Sequence, residues 1–212
     1  MNSFGQDEIA SLEKRFRANL INSISGFKSA NLIATRSKEG VDNLAVFSSV
    51  VHLGAHPPLL GFIMRPTSVE RHTYDNIIES GFYTINSLPA KMKADGHKTS
   101  AKFAKNVSEF DATEFKPEAN APYPPFVAQS PIKILLEFKS DMCIKENDTH
   151  LIIGEIISLK IDEDLLGEDG FVDLAKAGSA AISGLDAYHQ VLSGTRFSYA
   201  RPDEEPKEIK YG

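Results

Sequence analysis

The sequence predicts a mainly β protein with peripheral helices, of the α+β class, built as a small antiparallel barrel. Three observations point there. About five to seven apolar stretches of strand length follow one another in hairpin-like order, and helical spacing is confined to scattered short segments. No strand–helix–strand alternation repeats and no G-x-G-x-x-G follows a strand, which argues against a doubly wound nucleotide fold. The clearest hairpin joins two long apolar runs, 132–144 and 150–161, through the polar turn Lys145-Glu-Asn-Asp-Thr149.

In chain order, Ile9, Leu12 and Phe16 recur at helical spacing among charged residues, predicting a helix over residues 6–16 that covers one end of the sheet. Residues 32–35 read as a strand, 37–40 as a turn and 41–51 as the returning strand, which Ser48 and Ser49 interrupt. His52 and His56 flank a loop at Gly54, and the Pro57-Pro58 break leads into 59–64, a continuous apolar run expected to be buried on both faces. Arg65-Pro66 ends that run. Thr67-Ser-Val-Glu70 has the form of a capping box, so a helix is predicted from there to Ser80, with Gly81 as its C-terminal stop. Residues 82–86 alternate as a strand. Residues 91–105 are helical in composition apart from Gly96, and one or two short helices are expected there. The proline-containing stretch 111–131 lacks periodicity and reads as an extended excursion over the surface. After the long hairpin come an acidic loop (162–170), a turn or short helix (171–176) and a helix over 180–191 with Tyr188 and His189 near its end. The polar tail beyond Arg201 is expected to lack order of its own. The chain divides into an N-terminal helical segment (1–20), one domain (21–202) and a polar C-terminal tail (203–212).

A chain of 212 residues can bury a substantial core, and 42% hydrophobic with 25% charged residues is ordinary for a globular protein. A formal net charge of −6 argues against a general nucleic-acid or anionic-membrane binder. Cys143 stands alone, which excludes an intramolecular disulfide and a cysteine-based zinc site. A Cys143–His150 nucleophile pair would need a third orienting group, so a buried structural cysteine is expected. Gly54 and Pro57 keep His52 and His56 off a helix, and adding His72 and His97 gives no recognised ligand spacing, so no metal site is expected. The N-terminus does not have the pattern of a signal peptide, and no apolar run approaches the ~18 residues of a membrane span; a cytoplasmic location is the expectation.

Several pieces recur in a characteristic order: Asn43-Leu-Ala with Phe47-Ser48-Ser49, Pro57-Pro58 before an apolar strand, and Arg71-His72-Thr73 with Asn76-Ile77. They are followed by His150-Leu-Ile-Ile-Gly154-Glu155, Gly184-Leu-Asp186-Ala-Tyr188 and Arg196-Phe-Ser-Tyr199-Ala-Arg-Pro202. Together, over roughly residues 20–202, they resemble the flavin reductase-like, FMN-binding split-barrel family. Family members commonly show Lys-Asp-Thr where this chain has Arg71-His72-Thr73; the positive charge and the threonine survive. The resemblance implies an antiparallel split β-barrel and a homodimer with flavin near the subunit interface. It also implies a flavin reductase-like oxidoreductase in which NAD(P)H passes a hydride to FMN (FAD being the less favoured flavin) and electrons go on to a small-molecule acceptor. An FMN-binding electron carrier and a non-enzymatic flavin-binding protein are the alternatives, with pyridoxamine-phosphate-oxidase-like activity or a flavin-independent member further off. Neither nucleic acid nor membrane is expected as a partner.

An FMN site must hold a phosphate dianion and offer hydrogen bonds to the edge of a flat ring. By the resemblance, Phe47, Ser48 and Ser49 would border the ring and Arg65, Ser68, Arg71 and Thr73 would hold the phosphate, with Asn43 a further cofactor-binding candidate. Two guanidiniums and two hydroxyls around a helix start suit that task. Plainer readings stand beside these: serines where a strand passes from core to surface, and arginines on a solvated helix start. A helix beginning at Thr67 would also place Thr73 on a different face from Arg71. His52, His150 and Tyr188 are candidates for a substrate pocket, although His150 could be a strand-end surface residue and Tyr188 a dimer-packing aromatic. Asn86 either bonds a loop under the phosphate or ends its strand. A flavin carries its own redox chemistry, so no catalytic side chain is assigned.

Overall fold

The computed structural model describes residues 1–210, and the end of the polar tail, 211–212, lies outside the described residues. Seven strands form the main sheet: β1 (Asn31–Arg36), β2 (Asp42–Phe47), β3 (Val51–Ala55), β4 (Pro58–Met64), β5 (Phe82–Ser87), β6 (Ile132–Ile144) and β7 (Thr149–Ile161). Their spatial order is β2-β1-β5-β6-β7-β4-β3, with every neighbouring pair antiparallel. The strands β2 and β3 are therefore consecutive in sequence yet occupy opposite edges of the sheet. The link between them, residues 48–50, spans at most ~14 Å when stretched. A flat sheet of seven strands would hold its edges ~29 Å apart. Hence the sheet must curl until its edges approach, and Phe47 on β2 does meet Phe62 on β4 with ring centroids 5.0 Å apart. No ladder joins β2 to β3 among the described residues, so the barrel is split at this seam.

The predicted single strand over 41–51 is thus two strands with a crossing between them, and Ser48 and Ser49 lie on the crossing. The Gly54 segment, expected to be a loop, is the edge strand β3, because Val51 and His52 pair with Gly61 and Leu60.

Two buried clusters flank β1. Ile33, Phe62, Met64, Ile77, Tyr83, Ile85, Leu136 and Ile152 fill the barrel. On the opposite face of β1, Leu32 and Ala34 join Leu44, Leu88, Phe110, Phe115, Val127 and Ile182. The second cluster revises the reading of 111–131 as a surface excursion. Following α4 (Lys93–Lys98), this stretch contains the end of α5 (Glu109–Ala112) and a short ladder between Pro117–Glu118 and Phe126–Val127. Phe115, Phe126 and Val127 are buried side chains of the core. Asn86 fastens the segment: its Oδ1 accepts from the Val127 N–H at 3.0 Å and its Nδ2 donates to the Leu32 carbonyl at 3.2 Å. It therefore does more than end its strand.

At the N-terminus, two helices replace the predicted one, α1 (Gln6–Ser11) and α2 (Lys14–Ser23), because Leu12 turns the chain and the Glu13 carboxylate caps the Phe16 N–H at 2.9 Å. Neither buries a residue in the core. Instead, α2 lines a groove of 420 Å³ together with Leu185 and Asp186, and the helical segment extends past residue 20 to Ser23. The predicted helix over 180–191 is a hairpin of β8 (Ala180–Ser183) and β9 (Ala187–Gln190). Gly184 turns it with φ +62°, and β8 pairs on its other side with Lys28–Ser29. In the tail, Glu208–Ile209 pairs with Arg196–Phe197, so part of the segment expected to lack order folds back on the chain. Cys143, expected to be buried, is exposed on β6. Among the described residues no helix is long and apolar enough to cross a membrane.

Candidate functional site

Strand β4 ends at Met64, and residues 65–71 form a loop before α3 (His72–Ser80). The helix starts four residues later than the Thr67 capping box predicts, with Arg71 in place of Thr67 as the N-cap. Thr67 and Ser68 sit in a turn instead, and the Thr67 hydroxyl faces His150 rather than a helix N–H. Arg71 is the N-cap, extended at φ −133°, with no side-chain cap bond, so the first-turn N–H groups have no capping side chain. The C-terminal end is as expected: Gly81, at φ +76°, returns its N–H to the Ile77 carbonyl.

Two bonds seat α3 on the barrel. Asn43 Nδ2 donates to Thr73 Oγ1 at 3.1 Å, and one turn on Asn76 Nδ2 donates to Thr35 Oγ1 at 3.0 Å; all four side chains are buried. Asn43 therefore lies against the helix start. The Thr73 hydroxyl proton remains available to donate. Above this anchor, Arg65 and Ser68 are exposed, and among the described residues their side chains have no partner. Arg71 is half-buried; its Nε donates to the Pro66 carbonyl at 3.3 Å, leaving both terminal nitrogens free. Glu70 points to His72, 3.4 Å from its Nε2. The late helix start makes Arg71 the N-cap and puts Thr73 in the first turn, with Arg65 and Ser68 in the exposed loop that leads into it.

The ring-side set divides differently. Ser49 Oγ accepts from the Ile63 N–H at 3.0 Å and donates to the Ile63 carbonyl at 3.2 Å, continuing by side chain the ladder that β3 leaves unfinished. The Phe47 ring is committed to Phe62. Ser48, half-buried, keeps a hydroxyl with no partner among the described residues.

The three candidates for a substrate pocket do not converge. His52 is exposed on the edge strand β3, opposite Leu60. Tyr188, on β9, packs against the second core cluster with its hydroxyl 3.3 Å from His97 Nδ1. His150, the second residue of β7, lies beside Met64 and Cys143. Its Nδ1 is 2.8 and 2.9 Å from the two carboxylate oxygens of Asp141, and its Nε2 is 3.4 Å from Thr67 Oγ1. Tyr74 donates its hydroxyl to Asp141 Oδ2 at 2.7 Å, and this bond, aided by burial, pushes the phenol up to about 12.

One neighbouring group escaped the sequence reading. Glu109, at the start of α5, is 4% exposed, and its carboxylate accepts from the Leu44 N–H at 2.8 Å on the outer edge of β2. Burial raises its pKa, against the opposing pull of that bond and of nearby His72. Ser108 ahead of it does look like a helix cap, but nothing local marks the following carboxylate as buried. Among the described residues no three His, Cys, Asp or Glu side chains gather as metal ligands would.

The chain and its fold have known counterparts. A sequence model of the flavin reductase like domain matches residues 25–177. The crystal structure of a candidate flavin reductase with a split-barrel domain from Shewanella frigidimarina superposes with a TM-score of 0.90 at 43% identity, covering 94% of this chain and 100% of that one. Two more distant structures share the fold. Flavoredoxin of Desulfovibrio vulgaris has a TM-score of 0.69 at 20% identity, over 84% of this chain and 91% of its own. An FMN-binding protein from Thermus thermophilus has a TM-score of 0.67 at 17% identity, over 83% and 91%. With the family's sequence pattern over most of its length and the split barrel in its structure, the chain belongs to the flavin reductase-like family.

Proposed function

We propose that the protein is an FMN-dependent oxidoreductase of the flavin reductase type, using NAD(P)H as reductant and acting as a homodimer. The observation behind this reading is the uncapped start of α3, where Arg65, Ser68 and Arg71 present unused donors to solvent. That donor set fits a phosphate dianion. An arginine fork matches phosphate geometry, first-turn N–H groups point outward, and the helix start adds partial positive charge. Thr73, held in place by Asn43, can donate one further hydrogen bond. Bound FMN would supply hydride acceptance and electron transfer, chemistry that no side chain provides. The chain's own residues bind and orient: the α3 start fixes one end of the cofactor, and the Ser48 hydroxyl at the seam is available to the ring edge. The fold is shared with flavoredoxin and an FMN-binding protein, which supports the choice of cofactor. Exposed apolar side chains, among them Ile24, Phe27, Val51, Leu53 and Leu192, support burial of part of the surface by a second copy.

The test is stopped-flow mixing of FMN-loaded protein with NADH or NADPH under anaerobic conditions, following the loss of flavin absorbance. Rapid, saturable bleaching by one of the two is expected. Bound flavin that neither nucleotide bleaches would leave a flavin carrier or binding protein in place of the reductase.

A further inference from the structure

The polar cluster of Asp141 and His150 has no role in the binding assignments above, yet it touches the 65–71 loop at Thr67 and the first turn of the following helix at Tyr74. Thr67 lies before Ser68 and Arg71, and Tyr74 lies in the first turn after them. Both reach the same hairpin, Tyr74 through Asp141 on β6 and Thr67 through His150 on β7. The register explains the junction. His150 pairs with Cys143 and Ile152 with Asp141, so the imidazole meets Asp141 as a diagonal neighbour on one face of the ladder. The Asp141 carboxylate takes a hydrogen bond from Tyr74 and another from the imidazole, which extends on its far side to Thr67.

The loop's C-terminal end is also held by α3, where the Arg71 carbonyl accepts from the Asp75 N–H at 2.9 Å and Thr73 is bonded to Asn43; the stretch ahead of it has less to hold it. Within 65–71, the bond from Arg71 Nε to the Pro66 carbonyl is internal to the loop, and Glu70 only faces His72. Presenting two arginines and a serine to one anion requires that their backbone be ordered beforehand, since each loosely held residue adds an entropic cost to binding. Both imidazole nitrogens of His150 already have protein neighbours, so this side chain acts through others and does not contact a ligand itself.

We infer that Asp141, His150 and Tyr74 are positioning residues: a clamp that ties the 65–71 loop, at Thr67, and the helix turn that follows it, at Tyr74, to the β6–β7 hairpin and thereby sets the preference for a phosphorylated flavin over riboflavin. The inference rests on the FMN reading above and adds residues that contact neither ring nor phosphate.

The test compares FMN and riboflavin affinities, by quenching of flavin fluorescence on titration into the full-length, flavin-free protein. The variants are Asp141→Ala, His150→Ala, His150→Gln and Tyr74→Phe. Tyr74→Phe removes one hydroxyl from a half-buried ring, and so separates a loss of the clamp from a failure to fold. For Asp141→Ala and His150→Ala, the FMN dissociation constant should rise about tenfold while that of riboflavin stays within about twofold, as loss of a charge-assisted network implies. Tyr74→Phe should shift the ratio the same way by less, and His150→Gln, which restores a donor toward Asp141, should recover part of it. Wild-type discrimination that survives in every variant would overturn the clamp and leave the FMN site standing. Equal weakening of both flavins would also overturn it, by placing the cluster at the ring. A wild-type protein that binds neither flavin, or both alike, would overturn the clamp and the FMN reading together.

Discussion

At the scale of single residues, the tightest constraint in the barrel is at Gly154. A Cβ added there would lie 2.2 Å from the Tyr83 hydroxyl, in a core where Tyr83 is fully buried. Gly154→Ala should therefore lower stability by ~1–3 kcal/mol, read as a lower urea midpoint with an unchanged slope. Glu109 gives a pH signature. Its pKa is raised in the folded state, so its contribution to stability is complete below the ordinary carboxylate value of 4.5 and is lost as pH rises through the elevated folded value. Glu109→Gln, which keeps an acceptor for the Leu44 N–H, should gain on the wild type as pH climbs from 4.5 toward neutrality. Denaturant titrations of both proteins across that range check it; parallel pH profiles would show that burial of the carboxylate carries no such cost. The sequence showed Ser49 as a polar interruption in an apolar run, but its partner, Ile63, lies 14 positions away and becomes a neighbour only through the register of the β3–β4 pair. Glu109 offered no such sign, because its burial depends on β2 lying against α5.

At the scale of elements, length and periodicity decided what was legible. The β6–β7 hairpin, with 13 residues in each strand, was evident from two long apolar runs and a polar turn. The 180–191 segment misled because short alanine- and isoleucine-containing runs fit a helix or a strand equally well, and pairing with Lys28–Ser29 settles the outcome. At α3 the end was legible from Gly81, whereas the start was not: Thr67 and Glu70 have the capping-box chemistry but are drawn to His150 and His72 instead. Residues 111–131 lacked periodicity because their ladder is two residues long, and Phe115 and Phe126 were the signal that they belong to the core. Asn86 should hold that segment down. Asn86→Ala should cost ~1–3 kcal/mol and accelerate hydrogen exchange at the Val127 amide, which loses its acceptor. Unchanged protection at Val127 would assign the anchoring to the aromatic side chains alone.

At the scale of the whole molecule, the fold class and the barrel were legible, while the topology that builds the site was not. A three-residue link joining opposite edges of a seven-stranded sheet looks, in sequence, like two serines inside one strand. Closure at that link brings Phe47 to Phe62 and leaves Ser48 at the seam, and the barrel end next to Thr35 and Asn43 receives α3. Of the candidate residues, Arg71 and Thr73 lie at the helix start and Arg65 and Ser68 in the loop before it, Asn43 is bonded to Thr73, and His52, His150 and Tyr188 lie on three separate strands. The central claim is that the start of α3 holds the phosphate of FMN. Its most direct test is titration of FMN into the flavin-free protein, side by side with Arg71→Ala. Saturation near one flavin per chain is expected, with affinity falling about tenfold in the variant, the scale of one charge-assisted contact to phosphate. Absence of FMN binding by the wild type, or equal affinity in the two proteins, would contradict the claim.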